Sequence, residues 1–319
     1  MARLADSFSF VIRPKPPYDF KLTVKKPAGW SLFTPFEIYA DGTLWTATYL
    51  DGTFAGIRLR SSGTVNRPVV NARIFVKGKV TRQKHAEMER LLARTIGADQ
   101  DLSGFYSMAR KDKILKHTID DLYGMHDTFS STIFSEAVLA ILLQMAPLKR
   151  SNEMTSSFIT NYGELAEFDG RKIRAWPVPK RVCTITAQQL AKRCKVGYRA
   201  KSIVRLVKKM AYGDFPSAEE LEEMTAEESK EKLMELPGIG DYSSDIINPH
   251  GGFPIDVWSV EIFGKLLFGR EPKNNRDAIE RVKAAGMKRW GTFSWMAFFY
   301  VVQDLGRLSK KLGVSLRLS

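Results

Sequence analysis

Two Asp-Gly pairs, at residues 41–42 and 51–52, divide a run of alternating apolar and polar residues that extends from Phe36 to Arg60. Asp-Gly favours a two-residue hairpin turn, because both turn positions need the left-handed backbone that aspartate and glycine tolerate. The same alternation appears in "SFSFVIRP", "DFKLTVKK" and "RIFVKGKV". Residues 6 to about 80 are therefore predicted to form an antiparallel sheet, with a meander from Phe36 to Arg60.

The apolar period changes from two to that of a helix at about Thr81. In "TRQKHAEMERLLARTIG" the residues Met88, Leu92 and Ile96 recur at helical spacing, and Gly97 follows as a stop signal. We expect helices from there to the C-terminus. The predicted fold class is α+β, with an antiparallel β-sheet domain and flanking helices at residues 1–115 and an all-α region at residues 116–319.

The chain is strongly basic, with 49 Lys and Arg residues against 35 Asp and Glu and a formal net charge of +14. The excess is spread along the sequence, which favours a polyanionic partner over a neutral metabolite. A basic protein with no nucleic-acid role is the alternative, and composition alone does not separate the two.

Two cysteines, Cys183 and Cys194, are too few for a thiolate zinc site or a four-cysteine iron–sulfur cluster, so no iron–sulfur cluster is expected. They are expected to be reduced thiols. No stretch approaches the roughly 20 apolar residues of a membrane span, and no leader-like segment opens the chain. We expect a cytoplasmic protein that does not enter membranes.

The segment "KEKLMELPGIGDYSSDII" predicts a helix, a break at Pro237-Gly238-Ile239-Gly240, and a second helix from Asp241. Glycines permit a tight turn that leaves the free amides of the second helix pointing at one spot, which suits a phosphate. Simple packing of two helices is the alternative for such a turn. A basic helix precedes it in "VGYRAKSIVRLVKK", where Arg199 and Lys201 are candidate DNA contacts.

Asp256 stands between "GGFPI" and "VWSVEIFGKLLF", where a helix N-cap is expected. Aspartate is among the best N-caps and contributes about 1 kcal/mol there. The same position suits chemistry, because helix-end amides favour an ionised carboxylate and apolar neighbours limit water around it. The two roles are compatible.

"LPGIG" at 236–240 followed by "FPID" at 253–256 resembles the signature of the helix-hairpin-helix DNA glycosylase superfamily. The resemblance extends to "VGYRAKSI" at 196–203, "AILLQM" at 140–145 and "KRWGTFSWMAFFYVV" at 288–302. It is greatest to the branch of the inducible 3-methyladenine and 8-oxoguanine DNA glycosylases, in an archaeal-like form. It implies two helical lobes with an active cleft between them, and a damaged nucleotide flipped out of duplex DNA.

The resemblance also implies roles for individual residues. Asp256 would be the catalytic carboxylate, and the backbone at Gly238, Ile239 and Gly240 would hold a DNA phosphate. Met145, after Gln144, would be the apolar wedge that fills the gap left by the flipped base, although a methionine in a helix core is about as plausible. No cofactor is required, but carbonyls of Met234, Leu236 and Ile239 would bind a structural Na⁺ or K⁺.

Bifunctional members of the family carry a lysine where this chain has Tyr242, and that lysine forms a Schiff base. We therefore expect a monofunctional enzyme without lyase activity. Tyr242 and Trp290 match aromatic pocket walls of the alkylbase enzymes, which attract a cationic purine at about 0.5–2 kcal/mol. Trp258 is a weaker pocket candidate. For all three, packing in the core is the alternative.

The predicted function is hydrolysis of the N-glycosidic bond of damaged purines in base excision repair, with alkylated bases such as 3-methyladenine first and hypoxanthine as a further substrate. The alternatives are an 8-oxoguanine glycosylase or a non-catalytic DNA-binding protein. The expected partner is double-stranded DNA carrying a damaged base, and the expected state is a monomer. His250 lies close to Asp256 in sequence but receives no role.

Overall fold

A five-stranded antiparallel sheet forms the N-terminal part of the chain in the computed structural model, which describes residues 1–29, 31, 33–129, 132–213, 215–272 and 276–316. Its strand order is β2-β6-β5-β4-β3. After the short β1 (Ala2–Arg3), the strands are β2 (Asp6–Ile12), β3 (Ile38–Ala40), β4 (Thr43–Leu50), β5 (Thr53–Ser61) and β6 (Val70–Val76). The predicted meander is confirmed, and both Asp-Gly pairs adopt positive φ, from 44° to 69°.

Helices dominate the rest of the chain. They are α1 (Phe20–Val24), α2 (Arg82–Thr95), α3 (Ser103–Ala109), α4 (Ile133–Leu143), α5 (Leu148–Tyr162), α6 (Pro179–Val182), α7 (Ala187–Cys194), α8 (Arg199–Tyr212), α9 (Ala218–Glu223), α10 (Ala226–Met234), α11 (Asp241–Ile247), α12 (Ser259–Phe268), α13 (Arg276–Trp290) and α14 (Ser294–Leu312). Short 3-10 turns lie at Leu115–His117 and Gly291–Phe293.

Two sequence-based predictions of local structure are wrong. The all-helical expectation after Thr81 missed a hairpin, β7 (Glu164–Phe168) and β8 (Arg171–Ala175), to which β1 adds in parallel. The segment "DFKLTVKK" forms α1 instead of a strand, because the Asp19 side chain caps the amide of Leu22 at 2.8 Å. Phe20 and Val24, four residues apart, bury one face of that short helix.

The five-stranded sheet is covered on both faces. One face packs against α2 through apolar residues such as Leu44, Ile57 and Met88. The other face meets the β7–β8 hairpin, where the rings of Phe75 and Phe168 lie 5.1 Å apart. The hairpin thereby joins the sheet to the helical region.

The helices divide into two lobes with separate cores. The first lobe is built from residues 133–247, and the second combines residues 102–125 with residues 253–316. The second core therefore includes residues 102–115, which the predicted boundary assigned to the N-terminal domain. Within the described ranges, no helix has the length and apolar character that crossing a membrane requires.

Candidate active site

The Pro237–Gly240 turn joins α10 to α11 and needs glycine at its centre. Gly238 has φ +88°, and a Cβ added there would lie 2.7 Å from the Cβ of Ser202 on α8. A Cβ at Gly240 would meet no atom within 4 Å. Ile239 is buried in the first lobe, so the turn is anchored to a core while its Gly240 side stays open. This geometry is the one that the phosphate role requires, although that role stays a prediction.

Three carbonyl groups at this turn were predicted to bind a monovalent cation. The Leu236 carbonyl accepts the N–H of Ile239 at 3.0 Å. Those of Met234 and Ile239 accept no hydrogen bond from described residues. Two oxygens are thus available for a cation, and the third is shared with an amide. Separately, no cluster of His, Cys, Asp or Glu that could hold a metal ion occurs in the described ranges.

Asp256 precedes α12 and caps its first turn. Its Oδ1 accepts the amides of Trp258 at 3.0 Å and Ser259 at 2.9 Å, together with the Ser259 hydroxyl at 2.9 Å. The Asp256 amide lies 2.9 Å from the same Ser259 oxygen, which completes a reciprocal cap. Oδ2 accepts no hydrogen bond from the described part of the chain. One oxygen therefore fixes the carboxylate and the other is left for chemistry.

Asp256 opens onto a cleft of about 820 Å³ between the two lobes. The first lobe contributes Gln144, Met145 and Tyr242, and the second contributes α13. Tyr242 is half-buried beside Asp256. Burial, with a smaller effect from the Asp256 charge, raises the pKa of its phenol well above the usual range. Tyr242 is therefore a neutral aromatic wall at physiological pH.

Gln144 and Met145 lie at the rim of this cleft, where α4 ends. Met145 is 63% exposed and has φ +48°, an unusual backbone for a residue with a side chain. The Gln144 amide group donates to the Gly238 carbonyl at 2.7 Å. A core role for Met145 is excluded by its exposure, so the geometry is compatible with a wedge.

The two basic DNA-contact candidates on α8 have different environments. Arg199 is only 8% exposed, and its guanidinium donates to the Gln144 carbonyl. It therefore supports the chain before Met145, and its contact with DNA stays a prediction. Lys201 is exposed and its side chain contacts no described partner, so it is free to contact a phosphate.

Trp290 does not line the cleft, which contradicts its predicted place in the pocket wall. It is 3% exposed, its ring centroid lies 5.4 Å from that of Phe253, and its indole N–H donates to Asp112 at 3.2 Å. This side chain is buried in the core of the second lobe. Trp258 is half-buried and also absent from the cleft lining. His250 is exposed, and its Nε2 lies 3.2 Å from the Leu221 carbonyl oxygen.

Sequence reasoning missed an ion-pair network at the cleft. Lys230 Nζ lies 2.6 Å from Asp241 and 2.7 Å from Asp245, and Lys283 Nζ lies 2.5 Å from each of the same carboxylates. Lys230 and both aspartates belong to the first lobe, whereas Lys283 is on α13 of the second. The network therefore bridges the lobes. The paired residues are 11 to 42 positions apart in sequence, a separation at which no local sequence pattern reveals pairing.

Comparison with known proteins finds DNA glycosylases among both the sequence relatives and the similar solved structures. The chain is 24% identical over 227 residues to the DNA-3-methyladenine glycosylase of Bacillus subtilis (strain 168), covering 70% of this chain and 73% of that one. The structure of 3-methyladenine DNA glycosylase from Archaeoglobus fulgidus has a TM-score of 0.71 at 19% identity, covering 92% of this chain and 98% of that one. Clostridium acetobutylicum 8-oxoguanine glycosylase/lyase in complex with double-stranded DNA has a TM-score of 0.70 at 15% identity, covering 98% and 99%. No family model matches the chain.

Proposed function

We propose that this chain, which shares its fold and its sequence relatives with the helix-hairpin-helix DNA glycosylases, is a DNA N-glycosylase of DNA repair. The observation that carries the proposal is Asp256: one oxygen is fixed by the reciprocal cap with Ser259, and the other is unengaged in an inter-lobe cleft. A carboxylate held in this way can stabilise positive charge that develops on a sugar.

In the proposed reaction a damaged nucleotide leaves the duplex and enters the cleft, because its glycosidic bond cannot be reached within stacked DNA. Met145 fills the vacated space, since it is an exposed apolar side chain at the cleft rim. The Gly238–Gly240 turn and Lys201 contact phosphates. Met234 and Ile239 offer carbonyl oxygens for a Na⁺ or K⁺ that would stiffen the turn.

The proposed enzyme is monofunctional. Schiff-base chemistry needs an unprotonated amine at the sugar, and the family's lysine position is occupied by Tyr242. The cleft does contain Lys230 and Lys283, but both are held in ion pairs with Asp241 and Asp245. Burial acts to lower the pKa of Lys230, yet the hydrogen bonds that it donates to the two aspartates leave that pKa raised overall, so this amine stays protonated.

The proposed substrates are damaged purines. Tyr242 supports alkylated, cationic bases through cation–π contact. The burial of Trp290 removes the second aromatic wall on which that preference rested. Hypoxanthine and 8-oxoguanine therefore stand beside 3-methyladenine as candidate bases.

The test is base release from duplexes that carry one lesion each, with wild type and Asp256→Asn. Asparagine retains an oxygen at the capping position, so folding and DNA binding should persist while release falls by about 100-fold or more. Binding of DNA without release of any base by the wild type would instead identify a non-catalytic DNA-binding protein.

A further inference from the structure

A second cavity, of about 350 Å³, lies at the C-terminal end of α11, where Ile246 and Ile247 line it. Its apolar lining includes Leu139 of α4, Ile246 of α11 and Trp295 of α14. Its polar lining includes Lys26, Asp127 and Thr155. The volume falls in the range of small-ligand sites, and an apolar wall with a few polar groups is their usual composition.

This cavity is next to the catalytic cleft along α11. Tyr242 lines the cleft, and Ile246, one helical turn later, lines the cavity. Four residues of helix rise about 6 Å. The cleft and the cavity therefore border the same face of α11, about one helical turn apart.

Lys26 is a buried cation with few partners. It is 5% exposed, and its ammonium donates to the Thr128 hydroxyl at 2.5 Å, the one acceptor it has among the described residues. An ammonium has three N–H donors, and a buried donor without an acceptor is unfavourable. Lys26 is thus able to donate to a ligand in the cavity.

Neighbouring groups do not supply the hydrogen-bond acceptors that the Lys26 ammonium still lacks. Asp127 is buried, and its oxygens accept from the Thr128 amide at 2.8 Å and from the Trp295 indole at 2.5 Å. It forms no ion pair with Lys26 within 4.0 Å. Thr155 is 5% exposed, and its hydroxyl has no hydrogen-bond partner in the described structure. Two polar groups at this cavity therefore have unused hydrogen-bonding capacity.

Building on the proposed base removal, we propose that the extruded base enters this cavity and that Lys26 selects neutral purines bearing a carbonyl oxygen over cationic, N-alkylated purines. The ammonium donates to the carbonyl, and it repels a base that already carries a positive charge. Hypoxanthine and 8-oxoguanine have such oxygens. The substrate class is therefore the neutral oxopurines.

The same contact assists departure of the base. The C1′–N bond breaks with its electron pair on the purine, water oxygen bonds to C1′, and the proton that the water loses reaches a purine nitrogen through solvent. A neutral base leaves with negative charge, which an ammonium at its carbonyl stabilises. A cationic base leaves as a neutral molecule and gains nothing from Lys26.

The experiment compares wild type with Lys26→Met in single-turnover release of hypoxanthine, 8-oxoguanine and methylated purines from matched duplexes. We expect release of the two oxopurines to fall by on the order of 10- to 100-fold, while methylpurine release is unchanged or rises. Lys21→Met, which removes an exposed lysine of the same segment, should leave all rates unchanged. Equal loss on every substrate would show that Lys26 is only structural and would overturn the proposal.

Two further results keep the inference separate from the proposed function. If wild type accelerates methylpurine release over its uncatalysed rate more than it accelerates oxopurine release, the role of Lys26 is overturned while base removal itself stands, and this comparison needs no variant to fold. Thr155→Val, close to isosteric, should reduce oxopurine release more than methylpurine release, and the reverse order contradicts the proposal. If wild type releases no base at all, the proposed function fails.

Discussion

The side-chain amide of Gln144 donates to the carbonyl of Gly238 at 2.7 Å and to the hydroxyl of Ser243 at 2.8 Å. This contact joins the rim of the cleft, where Met145 is exposed, to the turn between α10 and α11. Arg199 holds the other side of Gln144 by donating to its backbone carbonyl. The wedge candidate and the phosphate-binding candidate are thus parts of one hydrogen-bonded unit.

Gln144→Leu keeps the side-chain size but removes both donors. We expect release from a fully paired duplex to fall about 10-fold, because each lost hydrogen bond costs about 0.5–1.5 kcal/mol and the rim is no longer aligned with the turn. Release from a lesion placed in an unpaired bulge should fall less. Gln188→Leu, an exposed change on α7, is the matched control, and an equal effect on both substrates would contradict the alignment role.

Met145→Ala should slow release from paired duplexes by about 10-fold without changing the melting temperature, because the side chain is exposed and its apolar volume acts only after the base has left the stack. Met145→Leu should retain most of the rate. Fluorescence of 2-aminopurine opposite the lesion measures the unstacking. A melting temperature lowered as far as the rate would point to a packing role.

Ser259→Ala removes the hydroxyl that lies 2.9 Å from both the amide nitrogen and Oδ1 of Asp256. We expect the free energy of unfolding to fall by about 1 kcal/mol and base release to slow by about 10-fold. The carboxylate keeps its two amide contacts but loses part of its alignment. Chemical denaturation and single-turnover kinetics report the two effects. A wild-type rate in this variant would show that the amides of Trp258 and Ser259 alone position Asp256.

Borohydride should trap no adduct between the wild type and an abasic duplex. Tyr242→Lys places an amine beside Asp256, outside the ion pairs that hold Lys230 and Lys283, and should produce a trapped adduct. Tyr242→Phe is the control and should trap none. Trapping by the wild type that Lys283→Met abolishes would mean that a network lysine is released when DNA binds.

Oxopurine release should fall as the pH rises through about 8. Burial lowers the pKa of Lys26 to about 8, and the negative charges of Asp127 and Glu37 counteract part of this shift. The ammonium that donates to the base is thus present below that pH and lost above it. Glu136 and Lys25 also line the cavity. The rate of oxopurine release by Lys26→Met should not change with pH over this range. If the variant shows the same fall at alkaline pH as the wild type, another group causes that fall.

The sequence allowed the meander to be predicted because Asp-Gly turns are local. The same signal occurs at Asp169-Gly170, where both residues adopt positive φ in the β7–β8 turn, and it was overlooked within a helical region. The α1 segment was harder to predict, because eight residues of mixed polarity fit the apolar period of a helix as well as that of a strand. There the cap by Asp19 decides between helix and strand.

At the site, Asp256 and the Gly238 turn were predictable because each depends on neighbours within a few residues. Trp290 was misplaced because its partner Asp112 is 178 residues away in sequence. Lys26 gave no signal at all: a lysine in a basic stretch resembles a solvated one. Only the packing of the N-terminal segment against α4 and α14 buries it.

The second lobe is assembled from two stretches of chain that flank the whole first lobe. During synthesis, Phe105, Leu115 and Leu122 therefore emerge long before Phe253 and Phe263, the aromatic residues that complete their core. Until then this apolar surface has no native partner, a situation that slows folding and favours aggregation. The buried core residues of the first lobe all lie within residues 133–247, so we expect a ribosome-bound chain to acquire the Gly238 turn before it acquires a closed cleft.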